Sequence, residues 1–219
     1  MNKVSKPKLT TEPRLTQAQR TEISDQRMFD ATVKLIVERG PNQTRLADVG
    51  VLAGYSRGLA SNRFGSKDSL FNFVVLRLAD MWLAKLKEVT SNKVGLVAIE
   101  QALDQHCQFC VDAPDYVRTL YVLWFESLNT DSQLSDTIKN IHQRRFQDVV
   151  SWILNDPLIS GKVKREADVI AAQFSVSVIG AVYHWLANPE KINEIKVLHE
   201  GIKITMTRLM SEELRCEPN

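Results

Sequence analysis

The chain is poor in residues that staple, catalyse or break a fold into repeats. Its 219 residues hold three cysteines, Cys107, Cys110 and Cys216, too few for a disulfide scaffold. No Gly-rich phosphate loop, H-E-x-x-H or G-x-S-x-G occurs, so the usual signatures of nucleotide, zinc-hydrolase and serine-hydrolase chemistry are missing. Asp112, Asp115 and Glu126 lie on amphipathic helical patterns, where carboxylates are ordinarily solvated, so no catalytic residue, metal or cofactor is expected. Internal repeats and period-two strand alternation are likewise absent, which excludes solenoids and most sheet folds. The N-terminus has no apolar core of a signal peptide, and the cytoplasm is the expected compartment.

What is present is an ordinary globular composition, 44% apolar and 25% charged, with a hidden asymmetry of charge. Residues 1–75 hold 12 Lys+Arg against 7 Asp+Glu, a net of +5. Residues 76–219 hold 16 against 19, a net of −3. A basic head on a mildly acidic body suits phosphate binding, although a solvated positive face would look the same.

Helical periodicity runs through the chain. Residues 1–15, with Lys3, Lys6, Lys8, Arg14 and two prolines, predict a mobile basic arm. Thr16-Gln-Ala-Gln19 has the form of a capping box. Met28, Ala31, Thr32, Leu35 and Ile36 then share one helical face until Gly40-Pro41. Thr44 is a candidate N-cap for a short helix carrying Leu46, Val49 and Ala53, ended by Gly54. Ser56 is a candidate cap for a second, Arg57 to about Phe64, with Ala60 and Phe64 inward and Arg57, Gly58, Ser61, Asn62 and Arg63 outward. Two short helices joined by a turn with Gly match a helix-turn-helix, whose second helix enters the major groove. Arg forks onto guanine, Asn onto adenine, and Ser reaches bases or phosphates. Gly58 costs about 1 kcal/mol of helix propensity against Ala, but lets backbone approach a duplex. A plain helical hairpin with solvated cations is the competing reading.

These residues resemble the TetR-type transcriptional regulators. The matching frame is Met28, Phe29, Ala31, Leu35, Ile36, Glu38-Arg39-Gly40, Thr44, Asp48-Val49, Ala53-Gly54-Tyr55-Ser56, Arg57-Gly58 and Phe64-Gly65-Ser66-Lys67-Asp68-Ser69-Leu70. The chain departs from the family at Ser61, where an aromatic is usual, and at Asn62 and Arg63. The resemblance implies an all-α protein: a helix-turn-helix DNA-binding domain at 16–66, then a helical ligand-binding and dimerisation domain at 67–219 entered by a long fourth helix. With it, Arg57, Ser61, Asn62 and Arg63 are expected at base edges, and Thr44, Arg45, Ser56 and Lys67 at phosphates. The expected partners are a double-stranded DNA operator, a small-molecule effector of unknown identity, and a second copy of the chain.

Beyond Ser66 the pattern predicts a fourth helix over 68–89, a break at Thr90–Gly95 as the best domain boundary, and helices over 97–113, 115–128 and 131–155. An aromatic sixth helix suggests a cavity lined by His106, Phe109, Cys110, Tyr121, Trp124, Phe125 and Phe146. Val169–Ala187 carries no formal charge with His184 neutral, near the length of a membrane span. Gln173, Ser175, Ser177, Tyr183 and His184 dilute it and no basic cluster flanks its end, so a buried helix is expected rather than a membrane partner. With a last helix over 195–214 it would form a homodimer interface through Val178, Val182, Trp185, Ile195, Leu198, Ile202 and Leu209. Two rivals stand beside this reading: a helical interaction protein that has lost DNA binding, and a thiol or metal protein using His106, Cys107 and Cys110.

Overall fold

The computed structural model describes residues 15–128 and 131–211. The predicted basic arm, apart from Leu15, lies outside the described residues, as do Cys216 and the end of the predicted last helix. Among the described residues there are ten helices and no strand. They are α1 (Gln17–Arg39), α2 (Leu46–Leu52), α3 (Leu59–Phe64), α4 (Lys67–Thr90), α5 (Gly95–Asp112), α6 (Pro114–Ser127), α7 (Gln133–Asn155), α8 (Gly161–Arg165), α9 (Ala167–Leu186) and α10 (Ile192–Met210).

The predicted capping box opens α1. Thr16 Oγ1 accepts from the Gln19 N–H at 3.2 Å, and the Thr16 N–H donates to Gln19 Oε1 at 2.8 Å, satisfying two groups the helix itself leaves orphaned. Met28, Phe29, Ala31, Thr32, Leu35 and Ile36 are buried, as their spacing requires. Full burial of a side chain such as Phe29 stabilises by about 1.5–3 kcal/mol. Ser66 caps α4 by accepting from the Ser69 N–H at 3.0 Å.

Two predicted caps are corrected. Arg45, not Thr44, stands at the start of α2, and no side chain caps it. The Thr44 hydroxyl instead donates back to the Gly40 carbonyl at 2.9 Å. Likewise α3 begins at Leu59 behind Gly58, and Ser56 contributes its carbonyl, which accepts from the Leu59 N–H at 3.1 Å. The reason lies in α2. A Cβ on Gly50 would sit 2.7 Å from the Ser56 carbonyl oxygen, so residues 55–58 are consumed in a turn pressed against α2 rather than in helix. Gly54, at φ +84°, makes the reversal that an L side chain would resist.

The head is not a separate body. One continuous core joins Met28, Phe29, Leu35, Val49, Ala60 and Leu70 to Leu123, Leu134 and Ile138, and α1 packs on α6. Phe29 meets Tyr116 edge-on at 5.5 Å, while Arg77 of α4 donates to Glu22 and Gln26 of α1. The predicted boundary at Thr90–Gly95 is only a turn: α4 and α5 pack together across it, with Leu86, Ala98 and Ile99 buried. Behind the head, α4 packs on α5 and α7, α7 on α9, and α10 on both α9 and α5. The short α8, capped by Ser160, was not predicted, because five residues are too few to carry a readable period.

Helix α9 is long and apolar enough by length and composition to cross a membrane, with mean hydropathy 1.5. Here it has two faces. Ile170, Ala171, Val182 and Trp185 are in the core, whereas Val169, Val176 and Tyr183 are 68%, 66% and 64% exposed.

Gly50→Ala should therefore destabilise the head by about 1–3 kcal/mol, since the methyl meets backbone rather than a flexible side chain. Gly58→Ala should leave stability intact, because a Cβ there meets nothing within 4 Å. Urea melts of both variants would check the contrast, and equal midpoints would contradict it.

Candidate DNA interface and ligand cavity

The reading helix α3 is only six residues long and cannot persist alone. Three things hold it: burial of Ala60 with partial burial of Phe64, the contact with α2 at Gly50, and an ion pair from Arg63. Arg63 Nε and Nη2 donate to Asp25 Oδ1 and Oδ2 of α1 at 2.9 and 2.6 Å, the forked geometry that makes Arg–carboxylate pairs strong. The Asp25 hydrogen bond and charge raise the Arg63 pKa. Arg63, expected at base edges, thus fastens the helix by committing Nε and Nη2 to Asp25, while its side chain stays 47% exposed.

The remaining outward residues stay available. Arg45, Ser56, Arg57, Gly58, Ser61 and Asn62 are exposed, and Gly58 has open space where a side chain would be. Lys67 spends one donor on the Asn42 carbonyl at 3.1 Å and lies over the Phe71 ring at 5.5 Å, which leaves further ammonium hydrogens for a phosphate. Thr44 is 1% exposed, with its N–H and its hydroxyl both donated within the 40–44 turn. Its expected phosphate role is corrected to shaping the turn before α2.

Behind the head, α4, α5, α6, α7 and α9 enclose a cavity of about 750 Å³, within the range of small-molecule sites. His106, Phe109, Tyr121, Trp124 and Phe146 line it as expected. Two expected residues do not. Cys110 is fully buried behind the wall, and Phe125 is 45% exposed on the far face of α6, edge-on to Tyr183 at 5.9 Å. The spacing of α6 allowed either face, and a 100° turn per residue separates Trp124 from its neighbour. Sequence reasoning left out the wall contributed by α4 (Leu76, Ala79, Trp82, Leu83, Leu86) and the polar group of α7 (His142, Arg145, Asp148). Arg145 did carry a signal, as a charge on the otherwise apolar stripe of α7.

Arg145 Nη2 bonds Asp148 Oδ2 at 2.8 Å. Burial lowers the Arg145 pKa and raises that of Asp148, with their mutual attraction opposing both shifts. Arg145 Nη1 and Trp124 Nε1 are buried without a hydrogen-bond partner among the described residues.

His106 and His199 form a directed pair. His199 Nδ1 lies 2.8 Å from the Ile195 carbonyl and so carries the proton, leaving His199 Nε2 to accept. His106 Nδ1, 2.8 Å away, must then be the donor, and His106 Nε2 is left as an acceptor. Cys110 Sγ is 3.9 Å from His106 Nδ1. The three ligand atoms lie within 4.8 Å of one another, a grouping that could hold a metal ion. Burial pushes the Cys107 thiol up and the Cys110 thiol up to about 12, which disfavours the thiolates that redox chemistry needs.

The expected dimer residues are corrected. Val182, Trp185, Ile195 and Ile202 are buried in the chain's own core. Leu198 and Leu209 pack partly against that core, and Val178 also faces the cavity. The apolar residues left outward on the last two long helices are Val169, Val176, Tyr183, Ile192, Val197 and Ile204. Phase explains the error: a helix apolar nearly all round does not say which side its own chain takes.

Burial lowers the His106 pKa to about 3, with the His199 charge as a second cause; burial also lowers His142 and His199. The unfolded chain takes up these protons first, near the ordinary value of 6.5. The stability tied to His106 is therefore whole above that pH and is lost as pH falls toward about 3. The loss is at most about 1.4 kcal/mol per pH unit for each group. Urea midpoints should fall between pH 7 and pH 5, and His106→Gln should flatten the decline; an unchanged slope would contradict the assignment.

Residues 29–74 match the description "Bacterial regulatory proteins, tetR family". The HTH-type transcriptional regulator BetI of Burkholderia ambifaria is 30% identical over 156 residues, which are 69% of this chain and 78% of that protein. Among solved structures, a transcriptional regulator from Rhodococcus sp. Rha1 superposes with a TM-score of 0.75 at 19% identity, covering 89% of this chain and 100% of the other. A protein from Saccharomonospora viridis in complex with choline gives a TM-score of 0.69 at 15% identity, covering 85% and 96%. Matched at that identity over more than two thirds of BetI, the chain belongs to the TetR family of bacterial regulatory proteins and is a DNA-binding transcriptional regulator.

Proposed function

We propose that the protein is a cytoplasmic, homodimeric repressor that grips an operator of two half-sites and is released by a small molecule held in the cavity. The observation that carries the reading is the course of α4. It starts at the Ser66 cap, directly after the reading helix, and its further turns, from Leu76 to Leu86, wall the cavity. A ligand that fits best with α4 displaced moves the head, and two heads no longer match grooves about 34–36 Å apart. The effect is bounded by the ligand's difference in affinity for the two states, typically about 1–3 kcal/mol. The choline held by the Saccharomonospora neighbour supports a small-molecule occupant for a body of this shape.

For the dimer, the outer face of α9 and α10 replaces the inner one first expected. Val169, Val176, Tyr183, Val197 and Ile204 are exposed there, and nothing lies within 4 Å of a Cβ placed on Gly180 or Gly201. Such gaps let a partner's helix come close. Arg57, Ser61 and Asn62 are assigned to base edges, and Arg45, Ser56 and Lys67 to phosphates.

Selection from random duplexes tests the whole reading, and failure to enrich any sequence would favour a helical interaction protein instead. On the selected operator, Arg57→Ala should cost about 1–3 kcal/mol and relax sequence preference. Lys67→Ala should weaken all sequences alike and reduce the salt slope by about one unit. Gly58→Ala should fold normally and bind less. Val176→Arg should yield monomers in sedimentation with weakened operator binding; a dimer as stable as wild type would move the interface elsewhere.

A further inference from the structure

The cavity is chemically lopsided. Its walls are largely aromatic and aliphatic, with Trp82, Phe109, Tyr121, Trp152 and Phe174 among them. A ring of this kind alone would suit a neutral apolar molecule or, through cation–π attraction, a quaternary ammonium. The unspent polar groups decide between them. Trp124 Nε1 and Arg145 Nη1, from facing helices α6 and α7, are both buried donors with no acceptor among the described residues. Trp124 packs against His142, ring centres 4.4 Å apart and planes tilted by 58°, one turn before Arg145 on α7, so the two donors belong to the same end of the cavity. A buried donor left unbonded costs about 1–3 kcal/mol, more where it is charged, and the folded chain carries that cost at two neighbouring points of a hollow wall.

The acidic groups do not reverse this polarity. Asp148 is held by Arg145, and Asp80 is exposed. On the basic side Arg144 is exposed like Asp80, so neither sets the polarity of the interior, and burial favours neutral His142.

Resting on the cavity as the effector site, we infer that its ligand is an amphipathic organic anion, a carboxylate or comparable oxyanion on a flat apolar body. Its charged oxygens accept from Trp124 Nε1–H and Arg145 Nη1–H, and its body lies against the aromatic wall. A cationic head would meet the Arg145 guanidinium and leave both donors unbonded.

Isothermal titration of the full chain with three probes of one shape tests this: 2-naphthoate, 2-naphthalenemethanol and the (2-naphthylmethyl)trimethylammonium ion. The carboxylate should bind at least 10-fold more tightly than the other two. Arg145→Met should remove that preference while leaving alcohol affinity within about 2-fold, and Trp124→Phe, which keeps a ring and deletes the donor, should lower carboxylate affinity about 5-fold or more. Comparable affinity for carboxylate and alcohol, or tighter binding of the cation, overturns the anion assignment and leaves the cavity as effector site. No heat from any probe overturns both. Loss of the alcohol together with the acid in Arg145→Met, with a lowered melting point, would mean that the arginine shapes the wall rather than recognises charge, and would also overturn the assignment.

Discussion

A six-residue helix has no stability of its own, and the fold around α3 is organised to supply it. Gly50 admits the Ser56 carbonyl to a distance no side chain would allow, which brings α2 and the turn into contact. Asp25, buried on α1, then takes Arg63 by both oxygens. A near-buried carboxylate is expensive unless paired, so α1 and α3 are each better off together than apart. This linkage fixes which side of α3 faces away. The exposed set of Arg57, Ser61 and Asn62 follows from it, since rotation of the helix would break the pair and expose Ala60.

The same logic runs rearward through α4. Its first turns seal the head at Leu70, Val74 and Leu78, and its later turns give one wall of the cavity. Arg77 bonds back to Glu22 and Gln26 of α1, so α4 cannot tilt without disturbing the helix that holds α3. Close-packed elements of this kind switch between arrangements rather than deform smoothly. On the reading proposed above, α4 is the element that carries a shift from the cavity to the head.

Sequence periodicity was enough for nine of the ten helices among the described residues, their order, both side-chain caps of the long helices in the head, and five of the cavity residues. It failed where phase or distance matters. Thr44 and Ser56 have the chemistry of caps, but Thr44 bonds back to Gly40 and Pro41, and the Gly50 contact, a backbone distance invisible to local pattern, takes Ser56 into a turn. Val182 and Trp185 lie on a helix apolar on nearly every side, and only packing against α7 and α10 tells inner from outer. Phe125 and Trp124 are adjacent letters on opposite walls. Arg63 reads as a free cation because its partner stands 38 residues away.

A rule emerges from the polar residues of the interior. Asp25, Arg145, His106 and His199 each occupy a position that the helical period assigns to the interior, and each is where an element is tied or the cavity made polar. Asp25 ties α3 to α1. His106 and His199 tie α5 to α10 through a hydrogen bond whose direction the Ile195 carbonyl sets. Arg145 is tied only in part, by Asp148, and its Nη1 is buried without a partner among the described residues. Most buried polar groups are bonded, and among the unbonded ones here only those of Arg145 and Trp124 belong to residues lining the cavity. Asp25, His106 and His199 are bonded to Arg63, to one another or to the backbone within the fold, whereas on the reading proposed above Arg145 and Trp124 find their remaining acceptor in a ligand.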